Sequence, residues 1–328
     1  MTRGSAPRLG TFSVLLASLL ISAAEFASAS GQTRDKAQSF SQFEALPLTR
    51  SQQNHLLVRA LINGKPALLI VDTGSPGTVI ASNRSEYFGV SGAPAAMNWP
   101  AQVTVNGALN KVAIARHIQL EALDLVDVPV IVADMSGVRR AARTVHDPEA
   151  DGILGIDVLL ATKAVLDCQE QVLFLNKTPD RPGRLPGFNA RGFSRVRIHV
   201  SEGLNSYVDS SINGVRTQLM IDTGAFATVL HRSFVNQMKI PVHGTRYQSS
   251  AINFSGGRVY VARIRKLSIG LVKIDCNEVG VMNLENVLSD EQGSPPVVGL
   301  LGAEILRSHH GIVDFGTRTL YLKRQPGR

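Results

Sequence analysis

Leu-Ile-Val-Asp-Thr-Gly occupies Leu69–Gly74, and Leu-Met-Ile-Asp-Thr-Gly occupies Leu219–Gly224. In both segments three apolar residues lead directly into Asp-Thr-Gly, and β-branched residues resume a few positions later. Each aspartate is therefore predicted to lie in a loop between two buried strands. A given tripeptide recurs roughly once in several thousand positions at average residue usage, so chance is a poor explanation for two copies in similar surroundings.

An internal duplication surrounds the two segments. Asn63-Gly64 and Asn213-Gly214 precede the aspartates, and the separation is 150 residues at both landmarks (214 − 64 and 222 − 72). Downstream, Gly-Ile-Leu-Gly-Ile-Asp at 152–157 matches Gly-Leu-Leu-Gly-Ala-Glu at 299–304, where the separation has become 147 (302 − 155). A repeat at a nearly constant separation indicates two copies of one structural unit that differ by a short loop deletion.

The duplication sets the expected domain organisation. The predicted units are a signal peptide at 1–29, a lead-in segment at 30–49, an N-terminal lobe at 50–176, a Pro- and Gly-rich linker at 177–191 and a C-terminal lobe at 192–328. A chain of 328 residues is long enough for two domains that each bury a core. Short β-branched runs between turn residues predict an all-β protein with a few short helices, and each Asn-Gly predicts a type I′ hairpin turn.

The first 29 residues have the pattern of an export signal. Arg3 and Arg8 precede an apolar stretch from Thr11 to Ala24, and Ala27-Ser28-Ala29 is a small-x-small cleavage site. The apolar stretch is short for a membrane span of about 20 residues, although an uncleaved anchor is the alternative. We therefore expect a periplasmic or secreted protein with no stable membrane insertion after cleavage.

The amino-acid composition indicates a globular protein and argues against nucleic acid and metal as partners. A hydrophobic fraction of 44% and a charged fraction of 18% are typical of a folded globular protein. The net charge of +8 comes from scattered basic residues, so no nucleic-acid partner is expected. Cys168 and Cys276 are the two cysteines, for which a disulfide and two free thiols both remain open. Neither belongs to a metal-ligand pattern, and the sequence predicts no metal and no cofactor.

The combination of Asp-Thr-Gly, apolar-apolar-Gly and a later Asp-containing strand hairpin resembles the aspartic peptidases, in particular the retropepsin-like bacterial pattern. The resemblance covers Leu56–Leu175 and Ser206–Leu322. It implies a bilobed acid-protease fold of two homologous retropepsin-like β-barrel lobes, related by a pseudo-twofold axis and able to form a site as a monomer. It also implies that Asp72 and Asp222 are the catalytic pair and that the substrate is a peptide or protein.

The residues that follow the two aspartates have defined tasks under this interpretation. Two carboxyl groups held close together cannot both ionise at low cost, so they share one proton. Gly74 and Gly224 are expected to let the backbone approach the carboxylates. Thr73 and Thr223 are expected to form hydrogen bonds across the lobe boundary.

One substitution breaks the symmetry of the two loops. Ser75 is expected to donate a hydroxyl hydrogen bond to Asp72, whereas the second copy has Ala225 at this position. A hydroxyl bonded to a carboxylate favours its charged form. The sequence therefore predicts that Asp72 is the more readily ionised member of the pair.

Other features have weaker links to the site. Two predicted hairpin turns, at Asn106-Gly107 and at Ser255-Gly256, are candidate flaps that contact substrate, with plain surface hairpins as the alternative. Asp157 and Glu304 are expected to cap short helices rather than to act in catalysis.

Two alternatives retain the fold without the chemistry. One is a non-catalytic peptide-binding or sensory module of the cell envelope, and the other is an envelope structural protein that uses the lobes as a scaffold. Intact Asp-Thr-Gly in both copies favours an enzyme. The sequence contains no His-Glu-x-x-His, Gly-x-Ser-x-Gly or phosphate-loop signature that would indicate another chemistry.

Overall fold

The computed structural model describes residues 42–92, 100–181, 188–276, 278–288 and 295–324, with the backbone alone described at 254–256 and 286. The predicted signal peptide, the lead-in segment before residue 42 and part of the predicted linker lie outside these ranges. Most of the described residues are in strands, which confirms the mainly-β class. No helix within these ranges is long and apolar enough to cross a membrane.

The first half of the chain contains twelve strands within the described residues. They are β1 (Phe43–Pro47), β2 (Thr49–Arg50), β3 (Leu56–Ile62), β4 (Lys65–Val71), β5 (Val79–Ala81), β6 (Ser91–Gly92), β7 (Gln102–Val105), β8 (Ala108–Leu120), β9 (Leu123–Ala133), β10 (Gly152–Leu154), β11 (Val165–Asp167) and β12 (Val172–Asn176). Its helices are a 3₁₀ turn (Ser82–Arg84), α1 (Ser85–Phe88), α2 (Ser136–Thr144) and α3 (Ile156–Ala161).

The second half repeats this order. Its described strands are β13 (Phe193–Val200), β14 (Ser206–Ile212), β15 (Val215–Ile221), β16 (Val229–His231), β17 (Val242–Ala251), β18 (Phe254–Arg263), β19 (Leu267–Ile269), β20 (Val272–Ile274), β21 (Glu278–Met282), β22 (Val297–Leu301), β23 (Ile312–Asp314) and β24 (Thr319–Lys323). Its helices are α4 (Arg232–Gln237), α5 (Glu285–Leu288) and α6 (Ala303–Ser308).

The first lobe is a closed barrel. Its strand order is β2-β3-β4-β10-β5-β9-β8-β6, and an additional pairing of β3 with β8 closes the sheet. Side chains alternate along β4, so that Leu69 and Val71 enter the main core while Ile70 joins a smaller cluster on the opposite face. By the same alternation Asp72, which follows β4, lies on the face of Ile70.

The second lobe has the same topology with one interruption. Its order is β14-β15-β22-β16-β21-β18-β17, and β14 also pairs with β19. The long strand β8 of the first lobe corresponds to β18 and β19 together, since β3 pairs with the end of β8 as β14 pairs with β19. Both lobes include a parallel pair next to the Asp-Thr-Gly loop, β4 with β10 and β15 with β22.

A shared sheet joins the two lobes in the order β1-β12-β11-β23-β24-β13. Three of these strands come from each half of the chain, and the halves meet where β11 pairs with β23. The sequence predicted the strands but not this pairing, because a hydrophobic run marks a strand without specifying its neighbour. The end of the lead-in segment forms the edge strand β1 on β12.

The sequence predicted the Asn-Gly hairpin turns correctly and the helices less completely. Asn63, Gly64, Asn213 and Gly214 all have positive φ, which confirms the type I′ turns. A few short helices are present, as the sequence predicted, but it gave no indication of α2. The sequence of α2 is amphipathic but rich in arginine, and the helix buries only Gly137 and Ala142, so it lacks the large apolar residues that mark a core helix.

A partly buried pair links the halves within the shared sheet. His310 Nε2 lies 3.0 Å from Asp167 Oδ2, and Asp167 Oδ1 also accepts the backbone N–H groups of Gln169 and Glu170. The equivalent residue of the second copy, Asp314, accepts the backbone N–H of Thr317.

We expect Asp167→Ala to lower the free energy of unfolding by about 2 kcal/mol, because two turn hydrogen bonds and the link between the halves are lost together. Asp314→Ala is the matched control, with an expected loss of about 1 kcal/mol. Urea unfolding monitored by circular dichroism measures both values. Equal losses would show that the His310 contact adds nothing to stability.

Candidate active site

The two aspartates face each other at the junction of the lobes. A Cβ atom placed on Gly74 would lie 2.6 Å from Asp222 Cγ, and one placed on Gly224 would lie 2.5 Å from Asp72 Cγ. Each carboxyl group therefore packs over the glycine of the opposite loop, which no larger residue could occupy without displacing it. The two carboxyl groups are close enough for one of them, when protonated, to donate to the other.

Two buried threonines fasten the loops together. Thr73 N–H donates to Thr223 Oγ1 and Thr223 N–H donates to Thr73 Oγ1, both at 3.1 Å. Each hydroxyl in turn donates across the boundary at 2.8 Å, from Thr73 to the carbonyl of Ile221 and from Thr223 to that of Val71. The threonines lie across the lobe boundary as the sequence indicated, and these four bonds fix the separation of the carboxyl groups.

Asp157 supports its loop rather than capping a helix, which corrects the sequence interpretation. Its carboxylate accepts the N–H and the hydroxyl of Thr78, both at 2.9 Å, and Thr78 Oγ1 accepts the N–H of Gly155. No side chain caps α3. Asp157 thus connects α3 to the strand that follows the Asp-Thr-Gly loop.

The second lobe repeats this support with a longer acid. Glu304 accepts the N–H of Thr228 at 2.7 Å, and Thr228 Oγ1 accepts the N–H of Gly302 at 3.0 Å. Glu304 likewise leaves α6 without a side-chain cap. Thr78 and Thr228 are site-supporting residues that the sequence reasoning missed, although their equal distance from each Asp-Thr-Gly was a usable signal.

The two carboxyl groups have unequal pKa values. Burial raises the pKa of Asp222 well above its ordinary value, and the charge of Asp72 raises it further. Burial also raises the pKa of Asp72, but the Gly74 N–H and the positive charge of His55 oppose this rise. The surroundings of Asp72 therefore favour its charged form more than those of Asp222 do.

The physical cause of this inequality differs from the one expected. Ser75 Oγ donates to the carbonyl of Gly77 at 2.8 Å, so its single proton is not available to Asp72. The Asp72 carboxylate instead accepts the Gly74 N–H at 2.8 Å, while Asp222 accepts the Ala225 N–H at 2.9 Å. The contrast between Ser75 and Ala225 does not act through a direct hydrogen bond.

The two candidate flap hairpins bind to each other at their turns. Asn106 Nδ2 donates to the carbonyl of Ile252 at 3.0 Å, and Asn253 Nδ2 donates to the carbonyl of Val105 at 3.2 Å. Asn106-Gly107 forms the turn between β7 and β8, as predicted from the sequence.

The predicted turn at Ser255-Gly256 was wrong by a few residues. The turn lies at Ile252-Asn253, and Ser255 pairs with Ser250 inside the hairpin. Asn253 adopts φ 57°, which asparagine tolerates at a turn. The turn therefore forms at this asparagine and does not need the glycine at position 256. The side chains of residues 254–256 are not described.

An apolar hollow of the first lobe receives the tip of the second hairpin. Ile252 is 7% exposed and packs with Leu57, Ile70, Met135 and Ile153. Ile70 lies two residues before Asp72 on the same face of its strand, so the hollow is next to the carboxyl pair. The two hairpins are thus joined at their tips, and Ile252 of the second is buried in the first lobe.

The two cysteines do not form a disulfide. Cys168 and Cys276 are free thiols, and burial raises the pKa of Cys168 to about 12. Within the ranges that the structure describes, no group of three or more His, Cys, Asp or Glu residues could hold a metal ion.

Comparison with known families agrees with the geometry. Residues 58–158 match a family described as "Aspartyl protease", and residues 208–308 match one described as "gag-polyprotein putative aspartyl protease". The chain is a tandem of two aspartyl protease domains. Each matched range contains one Asp-Thr-Gly loop, so the duplication seen in the sequence corresponds to two protease domains.

Whole-chain comparisons are less informative. Among solved structures, the chain is similar to basic 7S globulin from soybean, with a TM-score of 0.43 and 11% sequence identity over 86% of this chain and 95% of that chain. No curated protein matches the sequence.

The threonine network gives a stability prediction for the tandem protease domains. We expect Thr73→Val to lower the free energy of unfolding by about 2 kcal/mol or more, because the buried Thr223 N–H loses its acceptor and the Ile221 carbonyl its donor. Thr73→Ser retains the hydroxyl and should cost less than half as much. Chemical unfolding measures both; equal losses would show that the hydroxyl does not join the lobes.

The hairpin contact gives a dynamic prediction. Asn106→Ala removes one hydrogen bond between the two turns, and we expect hydrogen exchange in residues 245–253 to become about fivefold faster, since one such bond contributes about 1 kcal/mol. Asn110→Ala is the matched control, because the Asn110 amide bonds within its own hairpin. Unchanged exchange in Asn106→Ala would show that the turns are not held together by this contact.

Proposed function

We propose that the protein is an aspartic endopeptidase in which Asp72 and Asp222 activate a water molecule for attack on a peptide bond. The observation that carries the proposal is the approach of two carboxyl groups, one from each domain, at a boundary fixed by four threonine hydrogen bonds. A pair at this distance shares a proton, which supplies a base and an acid in one site. The aspartyl protease families matched by both halves support the same chemistry.

The unequal pKa values assign the roles. Ionised Asp72 takes a proton from the water as its oxygen forms a bond to the carbonyl carbon. Protonated Asp222 donates its proton to the carbonyl oxygen and so stabilises the developing charge. The tetrahedral intermediate then loses its C–N bond, a proton passes to the leaving nitrogen, and a carboxylic acid and an amine are released.

We propose that the joined hairpins cover the carboxyl pair, so that a peptide or protein substrate binds between the hairpins and the pair. Asn106 and Gly107 of the first turn are proposed to contact the substrate backbone, together with Ser255 and Gly256 in the arm of the second hairpin. We also propose an exported, monomeric enzyme that acts in the periplasm or outside the cell; the pattern of residues 1–29 supports export.

Activity assays of four proteins test the proposal. Cleavage of an unfolded protein and of a peptide library by the mature chain is compared with Asp72→Asn and Asp222→Asn, each expected to lower kcat by about 10³-fold or more. Asp124→Asn, at an exposed carboxylate of the first lobe, is the matched control. Full activity in either dyad variant would contradict the shared-pair mechanism, and binding of peptides by an inert wild type would favour the peptide-binding module.

The pH profile of kcat/KM gives a separate prediction. Activity needs Asp72 ionised, so it falls as pH drops through the pKa of Asp72, and it needs Asp222 protonated, so it falls as pH rises through the pKa of Asp222. Because both pKa values are raised from 3.8, both half-activity points should lie above pH 3.8. An acid limb below that pH would contradict the role of burial at the pair.

A further inference from the structure

A tight turn of the first domain reaches the dyad loop of the second. In this turn Ser51 N–H donates to the His55 carbonyl and Asn54 N–H to the Ser51 carbonyl, with Asn54 at φ 66°. Two of its side chains cross the domain boundary. His55 Nε2 lies 3.0 Å from the Gly224 carbonyl oxygen, and Asn54 Nδ2 donates to the Phe226 carbonyl at 3.3 Å.

The turn is held from behind by two charged residues. Arg50 Nη1 donates to the carbonyl and the Oδ1 of Asn54, at 3.1 and 2.7 Å. The Asp147 carboxylate accepts the backbone N–H groups of Gln52 and Gln53, at 2.7 and 3.0 Å. These bonds hold the backbone of the turn that carries His55, and the imidazole is held by its bond to the Gly224 carbonyl.

The carbonyl that His55 contacts belongs to the peptide group that serves Asp222. That peptide joins Gly224 to Ala225, and its N–H donates to Asp222 Oδ1 at 2.9 Å. Since a carbonyl oxygen can only accept, His55 Nε2 carries the proton of this bond. A peptide whose oxygen accepts a hydrogen bond is polarised and becomes a stronger donor at its N–H.

Several charged groups act on His55. Burial lowers the pKa of His55, while the charge of Asp72, the Gly224 carbonyl and the charge of Asp147 act in the opposite direction. Arg50 is bound to the adjacent Asn54. Asp222 is reached through the Gly224–Ala225 peptide. His55 thus acts on both members of the pair by different routes, by its charge on Asp72 and through one peptide group on Asp222.

The second domain lacks an equivalent charge. The separation of 150 residues places Asn205 at the position of His55 (205 − 55), in a turn of the same form, where Leu204 has φ 65°. The amide side chain of asparagine stays neutral over the pH range in which an imidazole gains or loses its proton. The two turns therefore differ in charge, as the surroundings of the two carboxyl groups do, because only the first turn has a histidine.

We propose that His55 is a positioning residue of the carboxyl pair, which holds the Gly224–Ala225 peptide with its N–H on Asp222 and, when protonated, places a positive charge beside Asp72. The predicted effect of His55 on peptide cleavage rests on the proposed peptidase function. Its predicted effect on the ionisation of Asp72 does not. With His55 charged, the ionised form of Asp72 is favoured, so the enzyme retains activity to lower pH. Deprotonation of His55 removes this effect.

Kinetic comparison of two variants separates the tasks. His55→Gln keeps an amide donor near the Nε2 position without a charge, whereas His55→Leu removes both. We expect His55→Leu to lower kcat by about tenfold with little change in KM, and His55→Gln to recover most of that rate. In both variants the acid limb of the profile should move to higher pH by about half a unit or more. Circular dichroism establishes that each variant is folded.

A titration that needs no activity tests the electrostatic part. The imidazole Cε1–Hε1 signal of His55 is followed by NMR against pH in the wild type and in Asp72→Asn. Because the charge of Asp72 raises the pKa of His55, the midpoint should fall in Asp72→Asn. Equal midpoints, or a His55→Leu enzyme with the wild-type pH profile, would overturn the inference. An inactive wild type would overturn the proposed function instead, and the NMR titration would still decide the role of His55.

Discussion

Two carboxyl groups, one from each lobe, approach each other across the domain boundary, and the loops, threonines and short helices around them hold them there. Each group is stable there only because the opposite loop has a glycine beneath it, and because Thr73 and Thr223 hold the loops at a fixed separation. Bringing two acids out of water is unfavourable unless they share a proton and accept backbone N–H groups. The fold meets both conditions with residues drawn equally from the two lobes.

The supporting structure is organised around the same loops. Asp157 and Glu304 each tie a short helix to the strand that follows Asp-Thr-Gly, and the shared sheet joins the lobes behind the cleft. In front of it, the two hairpins meet and Ile252 fills a hollow beside the pair. The approximate twofold symmetry is broken at the residues nearest the carboxyl groups, where His55 and Asn205 occupy equivalent turns.

Much of this was accessible from the sequence because the chain repeats itself. The equal spacing of the two Asp-Thr-Gly segments predicted two lobes, and each Asn-Gly predicted a turn. That Asp72 meets Asp222 was implied by the resemblance to aspartic peptidases. The partners of Ser75 and Asp157 could not be predicted, because a hydroxyl or carboxylate chooses among several nearby backbone groups that only the folded loop defines. The shared sheet, the turn at Ile252-Asn253 and the contact of His55 with Gly224 all join segments far apart in sequence, which no local pattern encodes.

Carboxyl NMR establishes whether Asp72 and Asp222 share a proton. With aspartate labelled at the carboxyl carbon, the Asp222 signal is titrated in the wild type and in Asp72→Asn. Coupling predicts two separated steps for the pair, and a lower pKa for Asp222 once the charge of Asp72 is removed. If the Asp222 signal had the same midpoint in both proteins, the two groups would be independent acids. The shared proton, and with it the proposed dyad, would be contradicted.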